Sequence, residues 1–312
     1  MDARALLKPS PITPGAGIGI IAPASFARKE RFTGGMERLR TLGFVPQIAE
    51  NALERGPLFF AGTPQQRVAD LHAMFADSET EAVMCLRGGY GSNYLLDRID
   101  LEVFRAQPKP FFAYSDLTGL QLHLLDKLGI PAFHGPMLAA DFYLEDGVHL
   151  PSFHASLEGE PYSVGVAEGL RALKPGSASG TLYGGCLSIL VAMLGTPWEP
   201  QTEGKLLFIE DVGAKPYQID RMLWQLRKAG KLDNITGIIF GEMLDCSSPG
   251  TDSDFLDKTI MSALDGFAGP IAIGLRSGHV SRQNVTLTFG VTADLHVSEE
   301  SELKLLEQAV RR

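Results

Sequence analysis

The chain has 312 residues, 45% of them apolar, which is enough to bury two cores and more than one ordinary domain needs. Lys and Arg number 28 against 37 Asp and Glu, a net charge of -9 with no basic run, so no nucleic-acid or anionic-membrane partner is expected and a small molecule or short peptide fits better. The amino-terminal MDARALLKPSPITPGAG lacks an uninterrupted apolar core, no apolar run reaches the roughly 18 residues of a membrane span, and Cys85, Cys186 and Cys246 form no CxxC pattern, so a cytoplasmic protein with reduced thiols, no metal and no cofactor is expected.

In chain order, the apolar run Ile18 to Ala22 predicts a first buried strand ending in the loop Pro23-Ala24-Ser25. A helical pattern from Arg28 to Leu42 stops at Gly43, and Phe44-Val45-Pro46 opens a second extended segment. Thr63-Pro64 caps a helix whose face carries Val68, Leu71, Met74 and Phe75, and a third strand, Ala82 to Leu86, runs into the glycine-rich loop Arg87-Gly88-Gly89-Tyr90-Gly91-Ser92. That loop has neither the Lys-Ser/Thr ending of a P-loop nor the GxGxxG of a dinucleotide site. The stretch FFAYSDLTGL, Phe111 to Leu120, is a strand turning at once into a helix, and a further strand, Pro131 to Phe133, ends in His134-Gly135-Pro136. Such alternation predicts a parallel sheet covered on both faces, with Ser25, the Gly88 loop, Ser115 and His134 along its ligand-binding carboxyl edge.

Residues 138–175 are irregular and read as the crossing between a first domain, 1–137, and a second, 176–312. In the second, Leu206 to Ile209 delivers Glu210 and Asp211, Pro216 starts a helix, and Ile235 to Phe240 is another strand. A helix over Asp254 to Leu264, the strand Ile271 to Ile273, the alternation Val285, Leu287, Phe289 and a terminal amphipathic helix, Glu300 to Val310, complete the expected α/β domain.

Ser115 would sit where a helix amino end favours developing negative charge, although Ser and Asp also suit a plain cap, which is the simpler reading of that stretch alone. A nucleophilic serine needs a histidine base and a carboxylate to orient it. Of seven histidines, His134 and His279 lie on suitable loops, and position alone does not separate them. Glu210 is the favoured acid because it directly ends an apolar strand, with Asp211 as its rival.

The motifs IIAPAS, RGGYGS, YSD, HGPM, GxLxGGxLS over Gly180 to Ser188, FIEDVG, PYxIDRML and the Gly-His loop occur in one order along nearly the whole chain. In that order they resemble the serine L,D-carboxypeptidase (muramoyltetrapeptide carboxypeptidase) family, which includes the microcin C self-immunity peptidases. The resemblance implies Ser115 as nucleophile, Glu210 as orienting acid and His279 as base, and so chooses His279 over His134. It also implies a two-domain fold, a flavodoxin/Rossmann-like parallel-sheet domain followed by an α/β swivelling-type domain, with the active site in the cleft between them, and a homodimer. Cys186 stands where the family pattern has Asn, and Ala113 where it has Gly.

The expected reaction is removal of a terminal D-Ala from a cytoplasmic muropeptide tetrapeptide, by acyl transfer through Ser115. Asp116 and Gly89 are the expected oxyanion donors through their N-H groups, and Arg87, with Gly88, the expected contact to the substrate carboxylate, against the equal reading of Arg87 as a solvated loop residue. Two alternatives are carried: a self-immunity peptidase cleaving a peptidyl or aminoacyl adenylate, and a non-catalytic two-domain binding protein.

Overall fold

The computed structural model describes residues 5–247 and 254–311; the first four residues of the amino-terminal stretch, and Arg312 at the end of the expected second domain, lie outside them. Two compact units emerge, one of residues 1–160, 282–290 and 308–312, the other of 161–281 and 291–307. The chain therefore crosses after residue 160 and returns to the first unit twice. The expected boundaries at 137 and 176 differ from this because residues 138–160 fold with the first unit instead of bridging.

In the first unit the elements are β1 (Gly17–Ile21), α1 (Lys29–Thr41), β2 (Val45–Ile48), α2 (Pro64–Ala76), β3 (Ala82–Cys85), α3 (Leu101–Ala106), β4 (Phe111–Ala113), α4 (Thr118–Leu128), β5 (Ala132–His134) and α5 (Leu150–Glu158). Local signals place their ends. Thr63 Oγ1 accepts the Gln66 N-H while Gln66 Oε1 accepts the Thr63 N-H, a reciprocal cap with Pro64 in the first turn of α2. Gly129, at φ +75°, closes α4 in the left-handed conformation. The parallel strands run in the order β2-β1-β3-β4-β5, the flavodoxin-like order, so the strand sequence reverses between β1 and β3. Loops at such a reversal splay to opposite faces and leave room for a ligand at the strands' carboxyl ends. Phe111, Phe112, Phe133 and Phe153 are fully buried around this sheet, and α4 is buried on nearly every side, its Thr118, Gln121 and His123 included.

The second unit contains β6 (Tyr162–Gly165), β7 (Arg171–Lys174), β8 (Gly176–Cys186), α6 (Leu187–Ala192), β9 (Lys205–Glu210), α7 (Pro216–Lys228), β10 (Gly237–Gly241), α8 (Phe255–Ala263) and β11 (Ile271–Leu275). The chain then lends β12 (Leu287–Phe289) to the first unit, where it pairs antiparallel with β5, before β13 (Thr292–Val297) and β14 (Glu302–Leu305) finish the second. Its sheet is ordered β6-β14-β13-β8-β9-β10-β11-β7, with β8 to β11 parallel at the centre and antiparallel strands outside. The expected terminal helix is instead β14: Leu303 and Leu305 are buried and alternate with exposed Glu302 and Lys304, and pairing with β13 overrides the helical propensity of Glu, Leu and Lys. Residues 138–175 likewise hold α5, β6 and β7, short elements whose edge positions leave little periodicity to read. Among the described residues no helix is long and apolar enough to cross a membrane.

Candidate active site

Ser115 follows β4 after one residue, Tyr114, and adopts φ +64°, a left-handed backbone that a non-glycine residue takes only when its surroundings impose it. One short 3-10 turn, Ser115–Leu117, leads into α4, so the serine stands at the start of a helix on a sharp strand-to-helix turn. Two sets of contacts hold that turn. The Ser92 N-H donates to Asp116 Oδ2 at 2.8 Å, and Ser92 Oγ donates to the Asp116 carbonyl at 2.6 Å. On the other side, Tyr114 Oη donates to Asp141 Oδ1 at 3.4 Å, while Asp141 also accepts from the Met137 N-H at 2.8 Å and from Asn284 Nδ2 at 3.2 Å. A buried Asp116 side chain thus clamps the turn, leaving its main-chain N-H at the helix start as the group of chemical interest.

The glycine-rich loop after β3 lies against this serine. A Cβ built on Gly88 would stand 2.9 Å from Ser115 Cβ and 3.0 Å from its Oγ, so only glycine permits the approach. Gly89, at φ +108°, needs glycine for its backbone as well, and a Cβ there would collide with Ser25. Ser25 ties the loop to β1: its N-H donates to the Gly88 carbonyl at 3.4 Å and its Oγ accepts the Tyr90 N-H at 3.2 Å. Arg87 is half-buried, and burial first, then the neighbouring Arg31 and Arg28 cations, hold its guanidinium below the usual arginine range. Arg87 opens the loop that packs on Ser115, and three cations near one another there favour an anionic ligand.

In the second unit Glu210 ends β9 and is fully buried, and His279 lies on the loop after β11 with its side chain 21% exposed. Glu210 Oε2 accepts the His279 main-chain N-H at 3.1 Å and meets its Nδ1 at 2.7 Å. An ionised carboxylate can only accept, so Nδ1 carries the proton and Nε2 is left as the base. Two glycines allow the pair to close: a Cβ on Gly278, which sits at φ +91°, would lie 2.7 Å from Glu210 Cδ, and one on Gly241 would lie 2.7 Å from Glu210 Cβ. The Ser-Gly-His spacing is therefore a packing requirement of the buried acid.

The rivals separate in the structure. His134, fully buried, stacks at 5.1 Å on Phe289 and 5.9 Å on Tyr114, and belongs to the first unit's core. Asp211 accepts the Ser188 N-H at 2.8 Å and its own neighbour Val212 N-H at 2.8 Å, so it caps the start of α6; burial pushes its carboxyl above the usual range. Asp211→Asn is expected to lower stability by about 1–2 kcal/mol through the weakened cap, measured by urea unfolding, while leaving the Glu210 to His279 pair in place. Cys186, buried, lies with its Sγ 3.2 Å from Ser188 Oγ and 3.8 Å from Asp211 Oδ2, and burial holds its thiol well above the usual range, which keeps it an inert thiol in the same cap. Ser92, Asp141 and Asn284 were not foreseen; Ser92 could have been taken from the RGGYGS loop, whereas Asp141 and Asn284 meet across 143 positions with no local signal. Among the described residues no group of three or more His, Cys, Asp or Glu could hold a metal ion.

Two models of one family together match most of the chain. Residues 18–135 match the model of the LD-carboxypeptidase N-terminal domain, and residues 179–295 that of the LD-carboxypeptidase C-terminal domain. A curated relative from Bacillus subtilis, named probable murein peptide carboxypeptidase, is 37% identical over 300 residues, 94% of this chain and 93% of its own. Among solved structures, muramoyltetrapeptide carboxypeptidase from Oxalobacter formigenes matches with a TM-score of 0.82 and 28% identity, covering 93% of this chain and 98% of that one. The fold is also that of MccF, solved in complex with glutamyl sulfamoyl guanosine, at a TM-score of 0.89 and 24% identity over 98% of this chain and 100% of that one.

Proposed function

Since the chain belongs to the LD-carboxypeptidase family, we propose that it is a serine-type L,D-carboxypeptidase which removes a carboxyl-terminal D-Ala from cytoplasmic muropeptide tetrapeptides in peptidoglycan recycling. The observation that carries this reading is a pair of prepared groups: Ser115 on a left-handed strand-to-helix turn, and a fully buried Glu210 that fixes His279 through Nδ1. Ser115 Oγ attacks the scissile carbonyl as His279 Nε2 takes its proton, and Glu210 steadies the imidazolium that forms. The N-H groups of Asp116 and Gly89 receive the oxyanion, and His279 then protonates the departing D-Ala amine before water repeats the sequence on the acyl-enzyme. Arg87, with Arg28 and Arg31 beside it, binds the free carboxylate that an exopeptidase must recognise.

Gly88→Ala tests the approach of the glycine loop to the serine. The added methyl group pushes the loop from Ser115, and kcat is expected to fall about a hundred-fold or more, as for loss of an oxyanion donor, with circular dichroism unchanged.

The substrate is tested by incubating the protein with L-Ala-γ-D-Glu-meso-diaminopimelate-D-Ala and, separately, with a peptidyl adenylate, and monitoring products by mass spectrometry. Release of D-Ala with the adenylate intact is the expected result. Adenylate cleavage without D-Ala release would move the reading to the self-immunity alternative, for which the MccF likeness supplies the fold alone. Tight binding of the tetrapeptide without turnover would make it a binding protein. The cytoplasmic location is supported by three buried free cysteines, and the homodimer by the family resemblance, for which light scattering is the measurement.

A further inference from the structure

On the first unit, beside the loop that abuts Ser115, four aromatic rings form one exposed cluster. Phe59 is 44%, Tyr90 42% and Tyr94 46% exposed, around a more buried Phe60. Their centroids are 4.9 Å apart for Phe59 and Phe60, 5.7 Å for Phe59 and Tyr90, 6.0 Å for Phe60 and Tyr94, and 6.1 Å for Tyr90 and Tyr94. The two tyrosine hydroxyls stand 3.4 Å apart. No step of the proposed acyl transfer uses these rings.

The cluster is fixed from below. Arg67, 2% exposed, donates through Nη1 to the carbonyls of Pro23 and Gly91, each at 2.8 Å, and its guanidinium carbon lies 5.1 Å from the centre of the Phe60 ring. Phe59 and Phe60 join the loop after β1 as well, through the Phe26 N-H to the Phe59 carbonyl at 3.2 Å and a bridge between Ser25 and Phe60. Phe59 and Phe60 thus come from the segment between β2 and α2, Tyr90 from the glycine-rich loop and Tyr94 from the turn after it; contacts with the loops Pro23 to Ser25 and Arg87 to Ser92, which flank the reversal of strand order, hold them rigid although exposed.

We propose that this cluster is a binding platform for the saccharide end of a muropeptide, an N-acetylated hexosamine linked to the amino terminus of the peptide whose carboxyl terminus is cut at Ser115. The assignment rests on the carboxypeptidase reading of the chain. Pyranose rings offer a face of C-H groups that packs on a single aromatic face, with hydroxyls at the rim for groups such as the tyrosine O-H. A flat nucleobase is held best between parallel rings, and this cluster has no parallel pair: the planes of Phe60 and Tyr90, the nearest to it, cross at 35°, and those of Phe59 with Tyr90, Phe60 with Tyr94 and Tyr90 with Tyr94 at 64°, 87° and 77°. The distance suits as well. Tyr90 is two residues from Gly88, so its Cα lies within about 12 Å of Ser115 Oγ, and the three residues of the tetrapeptide upstream of the cut, one of them γ-linked, span at most about 13 Å.

The test compares kcat/KM for D-Ala release from the free tetrapeptide and from the same peptide carried on N-acetylglucosaminyl-N-acetylmuramic acid, in wild type, Phe59→Leu and the double variant Phe59→Ser with Tyr94→Ser. Saturation-transfer NMR with the disaccharide alone is run on the same proteins. The wild type is expected to prefer the glycosylated substrate about tenfold, with the ratio falling to near one in both variants and the disaccharide signal lost. Phe59→Leu keeps the apolar bulk and folding, so loss of the preference there assigns it to the ring. A wild type that releases D-Ala from both substrates at equal kcat/KM and gives no disaccharide signal overturns the platform and leaves the carboxypeptidase reading intact. A disaccharide signal that the variants abolish supports the platform even where no D-Ala is released, and then only the reaction reading fails. If the double variant converts a dimer to a monomer in light scattering with the substrate ratio unmoved, the face is an interface between copies and the saccharide assignment falls.

Discussion

Ser115→Ala is expected to lower kcat for D-Ala release by roughly a million-fold, to the background left by binding and the oxyanion donors. The reason is that among the described residues no other serine or threonine has a left-handed backbone. Its left-handed backbone at φ +64°, the closely packed Gly88 and the Asp116 to Ser92 clamp present a single Oγ at the helix start. The substitution removes one oxygen and keeps the Cβ that packs against Gly88, so thermal unfolding is expected to stay within a few degrees of the wild type. Activity within about tenfold of the wild type would take Ser115 out of the mechanism, since a lost nucleophile cannot be replaced at so small a cost.

Glu210→Gln is expected to cost roughly ten-thousand-fold in kcat while the fold persists. Glutamine has the size of glutamate, so the contacts with Gly241 and Gly278 remain filled. The variant loses the charge that fixes the proton on His279 Nδ1 and stabilises the imidazolium in the transition state. KM is expected to change little, because the pair contacts no part of the substrate except through the proton it moves. Asp211→Asn is the control one residue away: a loss of activity from it equal to that of Glu210→Gln would reassign the acid.

Much of the first unit could be read directly. The capping signature at Thr63 to Gln66, the glycine stop at Gly129 and the short buried strands each act within a few residues, and local chemistry fixed them. The alternation Val285, Leu287, Phe289 was recognisable as a strand, but its place beside β5 was not, because pairing partners more than 150 residues apart leave no trace in one sequence. Glu302 to Leu305 misled for the opposite reason, since residues of good helix propensity were drawn into a strand by the sheet edge beside them.

At the candidate site, Ser115 and Glu210 could be picked out because each ends an apolar strand at a turn. The choice between His134 and His279 could not be made from position and came from the family motif. The physical ground for it is visible only in three dimensions: two glycines let the His279 loop close on a buried carboxylate, whereas His134 is enclosed by aromatic rings. The aromatic cluster is hidden in the sequence for a related reason. Phe59 and Phe60 lie before α2 and Tyr90 and Tyr94 after β3, with no shared period, and only the folded chain brings them together.

The most direct measurement of the central claim is labelling with a fluorophosphonate, then mass spectrometry of the proteolysed protein. The account predicts one phosphonyl adduct, on the peptide containing Ser115, formed at a rate that collapses in His279→Ala although Ser115 is untouched. An adduct on another serine, or one on Ser115 that forms as fast without His279, would contradict it.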